Sequence, residues 1–180
     1  MGVPEVAAAP AAAEAGFSSS DLRSVLGAFA TGVTVITSRS GEHAYGMTAN
    51  AFSSLSLDPP LVLVCVISGT VGAATIERNR AFAVNILGAD QEPISRYFSW
   101  KDRPRGAGAF EEIPHLTAVT DCPVLEGVAG FLDCRLADSH EAGDHLIFIG
   151  EVVAIGVDHE VEPLLFHHGR YRRTAREERG

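Results

Sequence analysis

The spacing of apolar residues changes character along the chain near residue 32. Before it, Leu22, Val25, Leu26 and Phe29 fall at i, i+3, i+4 and i+7, the period of one helix face. Ser20 or a neighbouring serine can cap that helix, Asp21 suits its positive end, and Gly32 is placed to stop it. Beyond it the pattern is short-period and β-branched. VTVIT (33–37), a turn over 39–42 and HAYGMTANA (43–51) read as a strand pair, with Gly46 permitting close approach by another group. LVLVCVI (61–67), announced by Pro59-Pro60, and FAVNIL (82–87) read as buried strands. AGFLDCRL (129–136) and HLIFIGEVVAIGV (145–157) read as a hairpin across the turn-like residues 139–144. Short helices are expected at 72–79 and 90–98, and the Gly- and Pro-containing stretch 102–115 reads as a long loop. Six or more strands with few helices between them lack the alternation of a doubly wound sheet. The expected fold is mainly β: a closed or nearly closed antiparallel barrel with a few helices at its ends.

The two ends read differently from this body. Residues 1–16, rich in Ala and Pro, have neither a charged start nor a continuous apolar run, so they read as a disordered leader rather than a secretion signal. Residues 170–180 hold five arginines and two glutamates; a solvated tail is the plain reading, and phosphate holding by its first residues the sharper one. The domain is expected over 17–171, followed by a charged tail at 172–180.

Composition narrows the function. The 180 residues are 46% hydrophobic and 21% charged, which suits a single globular domain. Fourteen Lys and Arg against 23 Asp and Glu leave a net charge of −9, which argues against a general grip on nucleic acid. No run reaches the roughly 18 apolar residues of a membrane span. Three cysteines without a CxxC motif suggest neither a disulfide framework nor a zinc knuckle, and a reducing cytoplasm is the simplest home.

Familiar catalytic motifs are missing. Gly106-Ala107-Gly108-Ala109-Phe110-Glu111 lacks the third glycine of a dinucleotide fingerprint, and there is no Walker A sequence and no GxSxG. His140, Glu141, Asp144 and His145 read as a polar turn more readily than as metal ligands, and no metal is expected. Cys65 and Cys134 read as inert core thiols; Cys122 has no evident activating base. YGMTANAFSSLSLDPP (45–60) is more informative. Its small donors and acceptors, Thr48, Asn50, Ser53, Ser54 and Ser56, alternate with small apolar residues; this is poor core and good ligand surface, or else a loop built on Ser and Asx turns. Gly143-Asp144-His145 and PLLFHHGRY (163–171) bring imidazoles and an aromatic ring to strand ends, as a wall for a planar ligand or as ordinary surface groups.

Five segments in order resemble the flavin reductase family: Leu22–Thr37, Gly46–Leu61, Phe82–Leu87, Gly143–Gly150 and Pro163–Tyr171. The resemblance spans about residues 20–171. It implies a homodimeric, FMN-binding type of split antiparallel barrel. The implied activity is hydride transfer from NADH or NADPH to FMN or FAD, with reduced flavin passed to a partner monooxygenase. It further implies that Tyr45, Gly46, Met47, Thr48, Asn50 and Ala51 lie along the flavin, that Ser53 supports its polar edge, and that Cys65, Val66, Ile67 and the loop from Ser68 to Gly72 approach its phosphate end. Asp144, His145, Gly169, Arg170 and Tyr171 fall on the nicotinamide side, with His145 positioning that ring. The loop SGTVGAAT has no cation before Arg78, so phosphate binding is expected to fall to hydroxyls, backbone N–H groups and the helix start near Val71. The chemistry fits the plainness of the site. Flavin N5 and nicotinamide C4 carry the hydride, so the protein has to stack two rings and exclude water. The alternatives are a flavin carrier without turnover, a flavin-dependent oxidase with a basic substrate pocket, and a dimerisation module indifferent to flavin.

Overall fold

The computed structural model describes residues 16–104 and 106–175. The leader expected at 1–16 lies outside these except for Gly16, as does the end of the tail from residue 176. Three helices punctuate twelve strands: α1 (Ser19–Leu26), β1 (Thr31–Gly32), β2 (Thr34–Ser40), β3 (His43–Ala49), β4 (Phe52–Leu57), β5 (Pro60–Ile67), α2 (Val71–Asn79), β6 (Ala81–Ile86), α3 (Glu92–Ser99), β7 (His115–Thr117), β8 (Pro123–Leu125), β9 (Gly130–Ala142), β10 (His145–Val157), β11 (Leu165–His167) and β12 (Arg170–Arg172). A short 3-10 turn covers Gly106–Phe110.

Seven strands form one antiparallel sheet in the order β3-β2-β6-β9-β10-β5-β4. Its two edge strands, β3 and β4, are consecutive in the chain and joined only by Asn50 and Ala51. The sheet therefore curls so that its two edges adjoin at that link, and the unpaired gap between them is the split of the barrel. Alternation along the strands fills the lumen: Ile36, Val64, Val66, Val84 and Phe148 face inward and pack around Phe82, while Ala73 and Ile76 of α2 close one end. A Cβ on Gly150 would lie 2.5 Å from the Phe82 ring, so glycine there makes room for the phenyl group. The other face of β2 and β3 is also covered: Val35 and Ala44 pack with Phe98 of α3 and Phe110 of the 3-10 turn.

Several boundaries differ from the sequence expectation. α1 ends at Leu26, capped by Gly27 rather than stopped by Gly32, and Ser18 forms a reciprocal capping box with Asp21. The Ser18 hydroxyl and amide hold the Asp21 carboxyl below its usual range. None of its residues is buried, and Val25 and Phe29 are 71% and 77% exposed. Residues 52–57 are a strand, because pairing of Phe52–Ser54 with β5 overrides their weak apolar pattern. β9 runs on to Ala142, leaving only Gly143 and Asp144 in the hairpin loop, with Gly143 at φ 62° where that tight turn demands it. The chain end is tied down further than the expected boundary at 171: Arg172 belongs to β12, Arg173 pairs with Asp90 at 2.7 Å and Thr174 bonds Glu162 at 2.6 Å. No helix among the described residues is long and apolar enough to cross a membrane.

Candidate functional site

The barrel seam opens into a cleft of about 350 Å³, at the small end of the roughly 300–1,000 Å³ usual for ligand sites. Broader hollows lie near Asp90 and Arg173 and over Ile155 and Val157, but they gather none of the cofactor-binding residues expected from the sequence. One wall of the cleft is the end of β3 and its link to β4: Tyr45, Met47, Thr48, Asn50 and Ala51. The facing wall is the end of β5, Cys65 to Ile67, held to the link by a 3.0 Å bond from Cys65 N–H to Ala51 O. His145 enters opposite Ile67, where the β10–β5 register places it. Its Nδ1 lies 2.7 Å from the Asp144 carboxylate, and this hydrogen bond holds the exposed Asp144 carboxyl below its usual range. With Nδ1 engaged, Nε2 is the ring nitrogen left to meet a ligand.

A second cleft of about 280 Å³ adjoins the first. Thr48, Ala49, Asn50 and Ser99 border both; Tyr171 and Phe166 border only the second. His145 and Tyr171 thus stand on opposite sides of the Thr48–Asn50 strip. The other expected residues take places outside the two clefts. The missing side chain of Gly46 faces away, where a Cβ would lie 2.5 Å from Phe98. Gly72 backs the cleft wall, since a Cβ would lie 2.6 Å from Tyr45 and 3.0 Å from Met47 Sδ. The Ser53 hydroxyl donates to Ser54 O, Ser68 N–H bonds Asp144 O at 2.9 Å, Gly169 sits in the exposed β11–β12 turn, and Arg170 is exposed at the start of β12. The Thr48 hydroxyl donates to Ser95 O at 2.6 Å.

The sequence reading reached Thr70 through the Ser68–Gly72 loop but did not reach Phe98, Ser99, Lys101 and Arg103 as lining residues. Thr70 caps α2 and turns that helix start toward the cleft. Lys101 and Arg103 supply the cations that the β5–α2 loop lacks. Arg103 is fixed by donating to Trp100 O and Gly46 O, and its guanidinium lies 5.4 Å from the Tyr45 ring centroid. Among the described residues, none that lines the first cleft is a carboxylate. The signal was present as the basic run KDRPR, but only the fold brings 101–103 back across β3.

The three thiols differ. Cys65 is half-buried on the cleft wall; Cys122 and Cys134 are buried. Burial pushes Cys134 up to about 12, with the nearby Asp133 carboxylate adding to it, and burial also raises Cys122. Neither is a nucleophile at neutral pH.

A barrel split at its seam, with two adjoining clefts, is the arrangement that the sequence resemblance implies for a flavin-binding oxidoreductase. The chain belongs to that class: residues 26–175 match the flavin reductase like domain family. It is 41% identical over 155 residues to the NADH-dependent FAD reductase of Streptomyces globisporus, covering 86% of this chain and 85% of that protein. It is 37% identical over 162 residues to the NADH-dependent FMN reductase SmoA of Agrobacterium fabrum, covering 90% of each. Among solved structures, BorF, the flavin reductase component of a bacterial two-component tryptophan halogenase, superposes with a TM-score of 0.84 at 33% identity, covering 89% of this chain and all of that one.

Proposed function

We propose that this protein reduces FMN or FAD with NADH and passes the reduced flavin to a separate flavin-dependent oxygenase. The observation that carries this is the cleft itself: two cations, small polar residues and no carboxylate, in a chain with net charge −9. Such a lining selects a ligand that is planar and anionic. When bound, flavin supplies the hydride-accepting N5 and nicotinamide the donating C4. The chain's part is to bind and orient. Arg103, Lys101 and the α2 start with Thr70 hold the anionic end. Met47, Asn50, Ala51 and Cys65 border the flat part of the ring system. His145, oriented by Asp144, would meet the nicotinamide from the first cleft, and Tyr171 would flank the same nucleotide from the second. These walls would keep water from the reacting face.

The exposed apolar face of α1 supports a homodimer, because an amphipathic helix with no buried side chain gains its stability from something that covers it. Three free cysteines are in keeping with a cytoplasmic setting. The test is steady-state oxidation of NADH and NADPH, each with FMN, FAD and riboflavin. The reading expects flavin-dependent NADH turnover; flavin binding without turnover would make the protein a carrier instead.

A further inference from the structure

We propose that Ser95 is a positioning residue that sets the spacing between the two clefts and thereby the seat of the nicotinamide nucleotide; this rests on the reductase reading above. Ser95 lies on α3 and is fully buried. A buried hydroxyl is costly unless bonded, and the Ser95 Oγ has one side-chain partner, the Tyr171 hydroxyl at 2.8 Å. Its carbonyl accepts the Thr48 hydroxyl at 2.6 Å. One residue thus ties the outer wall of the second cleft to the strip that separates both clefts.

The neighbouring residue strengthens the hold. The Arg96 guanidinium lies 4.9 Å from the Tyr171 ring centroid and is itself fixed by Glu92 at 2.6 Å. Phe166 meets the same ring edge-on at 5.3 Å. The phenol is therefore held at its hydroxyl, its face and its edge. Its own backbone gives it little support: β12 has three residues and pairs with β11, which in turn pairs with only the two residues of β1. α3, not the terminal hairpin, fixes where Tyr171 stands. Because Thr48 is tied to the backbone carbonyl of the same residue, the width of the second cleft follows from one residue of α3, whose side chain holds Tyr171 and whose main chain holds Thr48.

The experiment compares wild type, Ser95→Ala, Tyr171→Phe and the double variant, varying NADH at saturating flavin and flavin at saturating NADH. Losing one buried hydrogen bond predicts a rise of about five- to tenfold in KM for NADH in each single variant. KM for flavin should stay within about twofold, and the double variant should match the singles, because both remove the same bond. Equal rises in both KM values, additive effects, or an unchanged KM for NADH would overturn the assignment. Should Ser95→Ala fail to fold, Tyr171→Phe must show the selective rise alone, and its absence overturns the proposal equally. Wild type without NADH turnover would end the reductase reading; active wild type with unmoved variants would end only this inference.

Discussion

The lumen of the barrel and the cleft at its seam are built from the same strands and to opposite specifications. Along β5, Val62 and Val64 point into the lumen while Cys65 and Ile67 border the cleft. Along β10, Phe148 fills the lumen and His145 opens onto the cleft. The lumen is apolar and buried; the cleft sets cations, an imidazole and small polar groups among apolar walls and stands half-open. One side of each strand thus serves stability and the other serves binding, and substitutions on the two sides should have separable effects.

The largest expected effect is in the lumen. Phe148→Ala removes a fully buried phenyl group and should cost about 3–5 kcal/mol of unfolding free energy, read by denaturant titration. A loss below about 1 kcal/mol would mean that the lumen is not the packed core described. In the cleft, Arg103→Met should raise KM for FMN roughly tenfold while leaving riboflavin, which lacks the phosphate, within about twofold. An equal change for both flavins would place Arg103 away from the anionic end. His145→Ala is expected to raise KM for NADH several-fold, on the order of one hydrogen bond, and more than it weakens flavin binding. Unchanged kinetics would remove His145 from the nicotinamide side.

The smallest effect belongs to the thiols. Folding raises Cys134 from 9.0 to about 12, so the unfolded chain gives up that proton first. The stabilisation is whole below pH 9 and fades as pH climbs toward 12. Thermal melts should accordingly soften across that interval in wild type and less so in Cys134→Ala, measured against each protein's own neutral value. Identical pH slopes would show that the buried thiol does not contribute.

How much of this was readable from residues alone follows the same division. The lumen strands announce themselves: VTVIT, LVLVCVI and FAVNIL are β-branched or apolar runs, and each became a strand with ends within three residues of those expected. β4 did not, because an exposed edge strand rich in serine has no apolar alternation to show, and only pairing with β5 makes it a strand. α1 showed its periodicity, but periodicity does not say what covers the face, and nothing among the described residues does. In the site, the wall supplied by β3 and its link to β4 was legible as unusual small polar composition, whereas Cys65 to Ile67 of β5 read as a buried strand and joined the expected site only through the family resemblance. Lys101 and Arg103 were not, since a basic loop looks like solvated surface until the chain folds it over Gly46. Nor could spacing reveal that His145 and Tyr171 border different clefts, because the Thr48–Asn50 strip between them belongs to a strand more than ninety residues away from either.

The central claim is that the seam binds two flat heterocycles so that one reduces the other. Anaerobic mixing of the purified protein and oxidised flavin with NADH tests it most directly, through the visible absorbance of the flavin. The account predicts rapid loss of the yellow colour with one NADH consumed per flavin, far faster than without protein. Colour that persists at the protein-free rate, with flavin and NADH both present in excess of the protein, would contradict it.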